Sequence, residues 1–146
     1  MKKFGYPEVV VGAFIVNRKG YLLLARSFKW PGIWSVPGGH VEHMESVEHA
    51  TKREVLEEVG MRVRLKRIMN VQEVINPKAF HRKAHFIFID ALCTAMNSDV
   101  RLDNKELYKY VWVKPKDSLR LKLNTYTRRA IMQLVKKDTR IGWFDA

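Results

Sequence analysis

The sequence predicts an α/β fold in which helices pack on a mixed β-sheet. Three observations lead to this prediction. Runs rich in apolar and β-branched residues are typical of strands, two other segments have helical patterns, and loops rich in Gly and Pro separate them. The order along the chain is strands, helix, strands, helix. With 146 residues, 47% of them hydrophobic, the chain is expected to form one domain, residues 1–146, with its own core.

The predicted strands differ in how they face solvent. "EVVVGAFIVN" and "YLLLARS" are largely apolar and flank the turn "RKG", which predicts a hairpin of buried strands. "MRVRLKRI" alternates apolar with basic residues, which predicts a strand with one exposed, positively charged face. The predicted strands are residues 8–17, 21–27, 33–36, 61–68, 84–95 and 107–113.

Two segments are predicted as helices. No Gly or Pro interrupts residues 46–59, where Ser46 is suited to the N-cap and Gly60 to the C-terminal stop. The second helix is predicted over residues 125–138, with basic residues toward its end. The first helix has one packing stripe, formed by Val47, Thr51, Val55 and Val59.

The charge balance favours an anionic partner. The chain has 27 Lys and Arg against 15 Asp and Glu, a net charge of +12. Nucleic acid, an anionic membrane surface and a phosphorylated small molecule all fit this charge, and so does a lysine-rich solvated surface. Charge alone therefore leaves these alternatives open.

Composition also excludes several classes of protein. No apolar run reaches the roughly 18 residues that a membrane span needs, and residues 8–17 are interpreted as a strand rather than part of a signal peptide. Cys93 is the only cysteine, which excludes an intrachain disulfide and a cysteine-rich zinc site. A reducing compartment fits this cysteine usage, so we expect a cytoplasmic protein without a membrane partner.

The acidic residues are concentrated in the first predicted helix. Glu54, Glu57 and Glu58 stand at i, i+3 and i+4 and share one helix face, where like charges repel. An ion pair between Arg53 and Glu57 would contribute only about 0.3–0.5 kcal/mol. Either the face is simply solvated, or the three carboxylates hold a divalent cation such as magnesium, which prefers oxygen ligands. The spacing alone leaves both readings open.

The acidic segment resembles the signature of the Nudix hydrolases. That signature is Gly, five residues, Glu, seven residues, then Arg-Glu-aliphatic-x-Glu-Glu-x-Gly-aliphatic. The resemblance covers residues 8–61 firmly and extends loosely to about residue 115. The fixed positions are filled without substitution by Gly39, Glu45, Arg53, Glu54, Val55, Glu57, Glu58, Gly60 and Met61.

The resemblance implies an α/β/α sandwich, with helices on both faces of a mixed sheet, that hydrolyses a pyrophosphate linkage with Mg²⁺, or alternatively Mn²⁺, as cofactor. By analogy, Arg53 orients the glutamates and Glu45 ties the preceding loop to the helix or assists through water. A later carboxylate often joins the site in this family, and Glu106 is the candidate, with Asp103 as the alternative. The implied metal ligands are Glu54, Glu57 and Glu58, with help from the Gly39 carbonyl, and the implied catalytic set is Arg53, Glu54, Glu57, Glu58 and Glu106.

Residues outside the acidic segment are weaker candidates for substrate binding, because each has an ordinary structural alternative. Arg26 ends a strand expected to face the acidic segment and could meet phosphate, while Phe28 could stack on a base, as could the nearby Trp30. His81 and Arg82 lie in a loop beyond the acidic segment. Pro77, in the same loop, stands where a proline marks ADP-ribose pyrophosphatases within the family the chain resembles.

The resemblance therefore implies a nucleotide-derived small molecule as substrate, with ADP-ribose or a nucleotide sugar favoured. The enzymatic alternative is hydrolysis of nucleoside triphosphates with release of pyrophosphate. The alternative from another class is a non-catalytic RNA-binding module, which the intact glutamates disfavour. The aromatic pair Trp143 and Phe144 is expected to dock on the core or on a second subunit, which leaves a homodimer open.

Overall fold

A computed structural model describes residues 5–145, the side chains of residues 144 and 145 excepted. The described strands are β1 (Glu8–Val16), β2 (Leu22–Ser27), β3 (Trp34–Ser35), β4 (Gly38–His40), β5 (Val63–Ile75), β6 (His85–Ala95), β7 (Leu107–Val113) and β8 (Trp143–Asp145). The described helices are α1 (Val47–Val59), α2 (Pro115–Ser118) and α3 (Thr125–Val135). Among these residues, no helix is both long and apolar enough to cross a membrane.

The strands form one mixed sheet, as predicted. Its order is β3-β2-β1-β6-β5-β8, with β4 paired to β1 and β7 paired to β2. Strand β1 runs parallel to β6 and antiparallel to β2 and β4. It pairs with β2 only at Val16 and with β4 from Val10 to Gly12, so the sheet splits along β1. At this split, the N–H of Gly38 in β4 donates to the carboxyl of Glu58 near the end of α1.

Helices cover both faces of the sheet, which confirms the predicted layers. On one face, Val55 and Val59 of α1 join a buried cluster with strand residues Ala13, Ile15, Leu23, Ala25 and Cys93. On the other face, Ala130 and Ile131 of α3 pack with Phe14, Leu22, Leu24, Met69 and Leu92. Burial of these apolar side chains from both sides stabilises the sheet between the two helical layers.

Both predicted ends of α1 are confirmed. The Ser46 hydroxyl accepts the backbone N–H of His49 at 3.1 Å, which satisfies one of the free donors of the first turn. Gly60 has φ 66°, and its N–H donates to the carbonyl of Leu56 at 3.1 Å. Glycine adopts this left-handed conformation without steric cost, so the helix ends there.

The structure differs from the sequence prediction at several boundaries. The strand predicted over 61–68 continues to Ile75, because Asn70 and Gln72 are buried polar residues that hide the apolar alternation. Residues Gly38 and Gly39 are expected in a loop but lie in β4, and α3 ends at Val135, three residues early. The short elements α2 and β8 were not predicted; β8 adds the chain end to the sheet beside β5.

Candidate active site

Four glutamates converge where the sheet splits. Glu54, Glu57 and Glu58 come from α1, and Glu106 comes from the turn before β7. Glu58 is buried, and its carboxyl accepts the N–H of Gly38 at 2.8 Å. Burial raises the pKa of Glu58 well above its usual range, and the hydrogen bond with Glu106 acts in the same direction. The same hydrogen bond lowers the pKa of Glu106, so Glu58 is the more basic of the two carboxyls.

The neighbouring loop explains why Glu106, rather than Asp103, reaches this cluster. The Asp103 carboxylate accepts backbone N–H groups at 3.1–3.2 Å from the three residues Lys105, Glu106 and Leu107. Asp103 is therefore occupied in shaping the turn, and the turn presents Glu106. Lys29 lies 3.0 Å from the Glu106 carboxylate and supplies a positive charge at the same place.

Arg53 connects α1 to the preceding loop. Its Nε and Nη2 donate to the two oxygens of Glu45 at 2.7 and 2.9 Å, and Nη2 also donates to the carbonyl of His40 at 3.1 Å. Its Nη1 donates to Glu54 at 2.8 Å and lies 3.5 Å from Glu57. The rigid fork of the guanidinium is suited to such paired contacts. The hydrogen bond from Arg53 also holds the pKa of Glu45 far below its usual range.

The glycine pair allows the close approach of backbone and carboxylates. A Cβ atom at Gly39 would lie 2.6 Å from both oxygens of Glu54, and one at Gly38 would collide with the carbonyl of Val11. Only glycine fits at either position. The backbone of β4 thus lies directly against the carboxylates of α1, with the N–H of Gly38 already bonded to Glu58.

Two of the four carboxyls, those of Glu58 and Glu106, line one end of a concave, mainly apolar cavity of about 110 Å³. Phe86 and Phe88 stack at 5.1 Å between ring centroids, and Trp30 lies 4.7 Å from Phe80. Apolar cavities with a few polar groups are typical sites for small molecules, and flat aromatic walls suit a stacked base. The aromatic wall is formed by Trp30, Phe80, Phe86, Phe88 and Tyr126, and the polar end by Lys29, Gly38, Gly39, His40, Glu58 and Glu106.

Comparison with known proteins assigns the family. The NUDIX domain matches residues 6–134. This chain belongs to the Nudix hydrolase family. It is 32% identical over 133 residues to the nucleoside triphosphatase NudI of Escherichia coli O81, covering 85% of this chain and 94% of the relative.

Two solved structures relate this Nudix hydrolase to others. A MutT NUDIX hydrolase from Burkholderia pseudomallei has a TM-score of 0.72 and 32% identity, covering 88% of this chain and 98% of that one. An ADP-ribose pyrophosphatase from Streptococcus suis has a TM-score of 0.69 and 19% identity, covering 96% of this chain and 100% of that one. The second likeness shows the fold alone.

The expectation that Arg26 faces the acidic segment is wrong. Ala25 packs into the cluster with α1, so the next residue in the strand points to the opposite face. There the Arg26 guanidinium lies over the ring of Trp34, 5.7 Å from its centroid, and its Nε is buried without a hydrogen-bond partner among residues 5–145. Trp34 is half-buried and packs against the cluster beneath α3.

The other four sequence candidates for substrate contact also lie outside the cavity lining. Phe28 is 57% exposed and packs on Tyr108 at 4.6 Å. Pro77 is buried in a turn, where its carbonyl accepts the N–H of Phe80 at 3.2 Å. The structure thus gives Pro77 a role in placing Phe80, a residue of the aromatic wall.

His81 and Arg82 follow in the same loop. His81 is exposed, and its backbone N–H donates to the carbonyl of Lys29 at 3.0 Å. Arg82 makes two hydrogen bonds, at 2.8 and 3.0 Å, with the buried carboxylate of Glu8 and lies over the ring of Phe80. These contacts fix the loop that carries Phe80 rather than directing either side chain into the cavity.

Most of this cavity is not predicted from the sequence. Of its aromatic wall, the sequence indicates only Trp30 as a residue that could stack on a base. Phe86, Phe88 and Asp90 lie in a predicted strand, and their spacing of two places them on one face. In "HFIFIDA", two aromatic residues and an acid alternate with isoleucines. This alternation indicates that Phe86, Phe88 and Asp90 share one face of the strand.

The residues present fit a divalent cation. Within residues 5–145, no group of three or more His, Cys, Asp or Glu side chains is arranged as a complete metal site. Mg²⁺ does not require one, because it usually binds one or two carboxylates and takes its other ligands from water and substrate phosphate. The donor set of four converging carboxylates is entirely oxygen, and Arg53 and Lys29 form ion pairs with three of them, Glu54, Glu57 and Glu106. Such a cluster suits a hard cation.

The contacts of Arg53 lead to a prediction. Replacing Arg53 with lysine should lower kcat/KM by about 10- to 100-fold, because one ammonium cannot hold Glu45 and Glu54 at once. The R62K variant makes the same change at an exposed arginine and should retain wild-type activity. Steady-state kinetics of both variants test the prediction. Full activity of R53K would show that these contacts do not position the glutamates.

Proposed function

We propose that this Nudix hydrolase cleaves nucleoside triphosphates to nucleoside monophosphate and pyrophosphate, with Mg²⁺ or Mn²⁺ as cofactor. The observation that carries the proposal is the junction of the carboxylate cluster with the aromatic cavity, which offers one place for phosphates and another for a base. The similarity to NudI supports a triphosphate substrate. In the reaction, a water oxygen bonds to phosphorus, the bridging P–O bond breaks and pyrophosphate leaves with the electron pair.

The site residues divide this work between them. Glu54, Glu57 and Glu58, with the Gly39 carbonyl, would hold the cation, which when bound lowers the pKa of water and offsets phosphate charge. Arg53 is held in the loop by Glu45 and by the carbonyl of His40, and it positions Glu54 through the hydrogen bond from its Nη1. With Glu58 ionised and holding the cation, the carboxylate of Glu106 beside it can take the proton that the attacking water loses. Lys29 lines the cavity beside them and can pair with phosphate oxygens.

A triphosphate now replaces ADP-ribose as the favoured substrate. The ADP-ribose expectation rested on Pro77, which is buried in a turn and does not line the cavity. The similarity to an ADP-ribose pyrophosphatase is at the level of fold. ADP-ribose and nucleotide sugars therefore enter the test as competing substrates.

The test is a substrate panel with Mg²⁺ and products identified by mass. It includes the common ribo- and deoxyribonucleoside triphosphates, ADP-ribose, nucleotide sugars and dinucleoside polyphosphates. Monophosphate plus pyrophosphate from at least one triphosphate, at the highest kcat/KM of the panel, is the expected result. AMP plus ribose phosphate as the dominant activity would contradict the proposal. Salt-dependent RNA binding without any turnover would instead identify a binding module.

A further inference from the structure

A buried carboxylate lies in the cavity away from the four glutamates. Asp90 is only 5% exposed and belongs to β6, two residues beyond Phe88. It lines the same cavity as the aromatic wall. A carboxylate in such surroundings is costly unless its oxygens are hydrogen-bonded. The hydrogen-bond partners of its two oxygens therefore indicate the role of Asp90.

One oxygen of Asp90 is held and the other is open. Oδ2 accepts from Gln72 Nε2 at 2.7 Å, and the same amide nitrogen donates to the carbonyl of Tyr126 at 3.0 Å. Gln72 is itself fixed through its oxygen, which Arg129 contacts at 3.3 Å. Within residues 5–145, Oδ1 accepts no hydrogen bond. The side chain is therefore locked in place with one acceptor oxygen available.

Gly12 keeps the open oxygen accessible. It pairs with Asp90 across β1 and β6, and a Cβ atom at Gly12 would lie 3.1 Å from Oδ1, its nearest neighbour. A side chain at this position would therefore crowd the oxygen. The aromatic wall and the open oxygen together form a slot with flat apolar sides and one hydrogen-bond acceptor. A planar heterocycle that carries an N–H group matches both features.

We propose that Oδ1 of Asp90 accepts an N–H group from the edge of the substrate's nucleobase and so determines base specificity. The proposal rests on the proposed function, which puts a nucleotide in this cavity. The phosphates lie toward Glu58 and Glu106, and the base lies between the aromatic side chains with a donor edge toward Asp90. Asp90 takes no part in breaking the phosphoanhydride bond.

The test compares each base with an analogue lacking one N–H donor, in the wild type and in Asp90→Asn. The triphosphate pairs are ATP with purine riboside triphosphate, GTP with ITP, CTP with its analogue lacking the 4-amino group, and UTP with 3-methyl-UTP. In the wild type, loss of the recognised donor should lower kcat/KM by about 10- to 100-fold, as for a hydrogen bond to a charged group. Asp90→Asn keeps the size and can still accept from Gln72, but it turns a donor toward the base.

In Asp90→Asn, the ratio between the paired substrates should fall to within about threefold. A merely structural role would lower both members of a pair equally and leave the ratio unchanged, which would overturn the proposal. Asp90→Ala is a second variant with the same expected loss of discrimination, and thermal unfolding of each variant confirms that it is folded.

Equilibrium binding of the corresponding monophosphates separates this proposal from the proposed function. Donor-dependent binding that Asp90→Asn abolishes, without triphosphate turnover in the wild type, would support the role of Asp90 and refute the proposed activity. Triphosphate turnover in the wild type, with the kcat/KM ratio between paired substrates unchanged in Asp90→Asn, would support the proposed activity and refute the role of Asp90. Neither turnover nor donor-dependent binding in the wild type would overturn both.

Discussion

Replacing Glu58 with glutamine is expected to lower kcat/KM by about a thousandfold, comparable to removing a group that stabilises transition-state charge. The same loss is expected for Glu57→Gln. Each change keeps the side-chain size and removes from the four-glutamate cluster one carboxyl that can ionise and hold a cation, which lowers its affinity for a divalent cation. The buried position of Glu58 also tolerates the amide, since glutamine can accept the N–H of Gly38 and donate to Glu106.

A matched control lies on the same helix. Glu48 is 55% exposed in the first turn of α1, where it pairs with Lys52 at 3.2 Å. Glu48→Gln removes the same charge from the helix without touching the cluster, so its kcat/KM should stay within about twofold of wild type. Near-normal activity in both Glu57→Gln and Glu58→Gln would refute the assignment of the cluster as the reaction centre. Circular dichroism of all three variants verifies that α1 is intact.

Asp90→Asn is expected to make the protein more stable than wild type at alkaline pH. Burial raises the pKa of Asp90 to about 7 from an ordinary value of 3.8, with only the Gln72 hydrogen bond opposing the rise. Below pH 4 the carboxyl is protonated whether the chain is folded or unfolded. Between pH 4 and 7 the unfolded chain releases this proton and the folded chain retains it, so stability falls as pH rises.

The pKa difference of about 3 units corresponds to about 4 kcal/mol of free energy of unfolding. The variant cannot titrate here, so its stability advantage should grow by roughly this amount between pH 4 and 8. Arg129 contacts the Gln72 oxygen at 3.3 Å, and Gln72 in turn donates to the Asp90 carboxylate. Urea unfolding at each pH measures the effect, and Asp99→Asn, at an exposed carboxyl, gives the baseline. An advantage independent of pH would show that Asp90 is ionised throughout this range.

Local chemistry made the helix and its carboxylates predictable. Ser46 and Gly60 mark the ends of α1 by side-chain capping and left-handed backbone, both of which are properties of single residues. The pair Gly38 and Gly39 is also recognisable from the sequence alone. The need for glycine there depends on close contacts with Val11 and Glu54, which only the three-dimensional structure shows. The sequence does not determine the face of the sheet to which a residue at the end of a strand points. Arg26 is the example, because it lies over Trp34 on the face opposite α1.

The cavity could not be predicted because it depends on contacts between residues far apart in sequence. Trp30 meets Phe80 and Phe86, and Tyr126 on α3 meets Phe88. Gln72 sits in the half of β5 whose alternation is hidden by buried polar residues, and its role depends on Asp90, 18 residues away. Polar residues buried in a strand cannot be distinguished from exposed ones until their partners are known.

If the converging glutamates work through a divalent cation, hydrolysis depends on that cation. We would measure triphosphate turnover after complete removal of metal with chelator, followed by titration with Mg²⁺ and with Mn²⁺. Turnover should disappear in chelator and return with added cation in the wild type, and the cation concentration for half-maximal rate should rise sharply in Glu57→Gln. Turnover that persists in excess chelator would show that the glutamates do not act through a divalent cation.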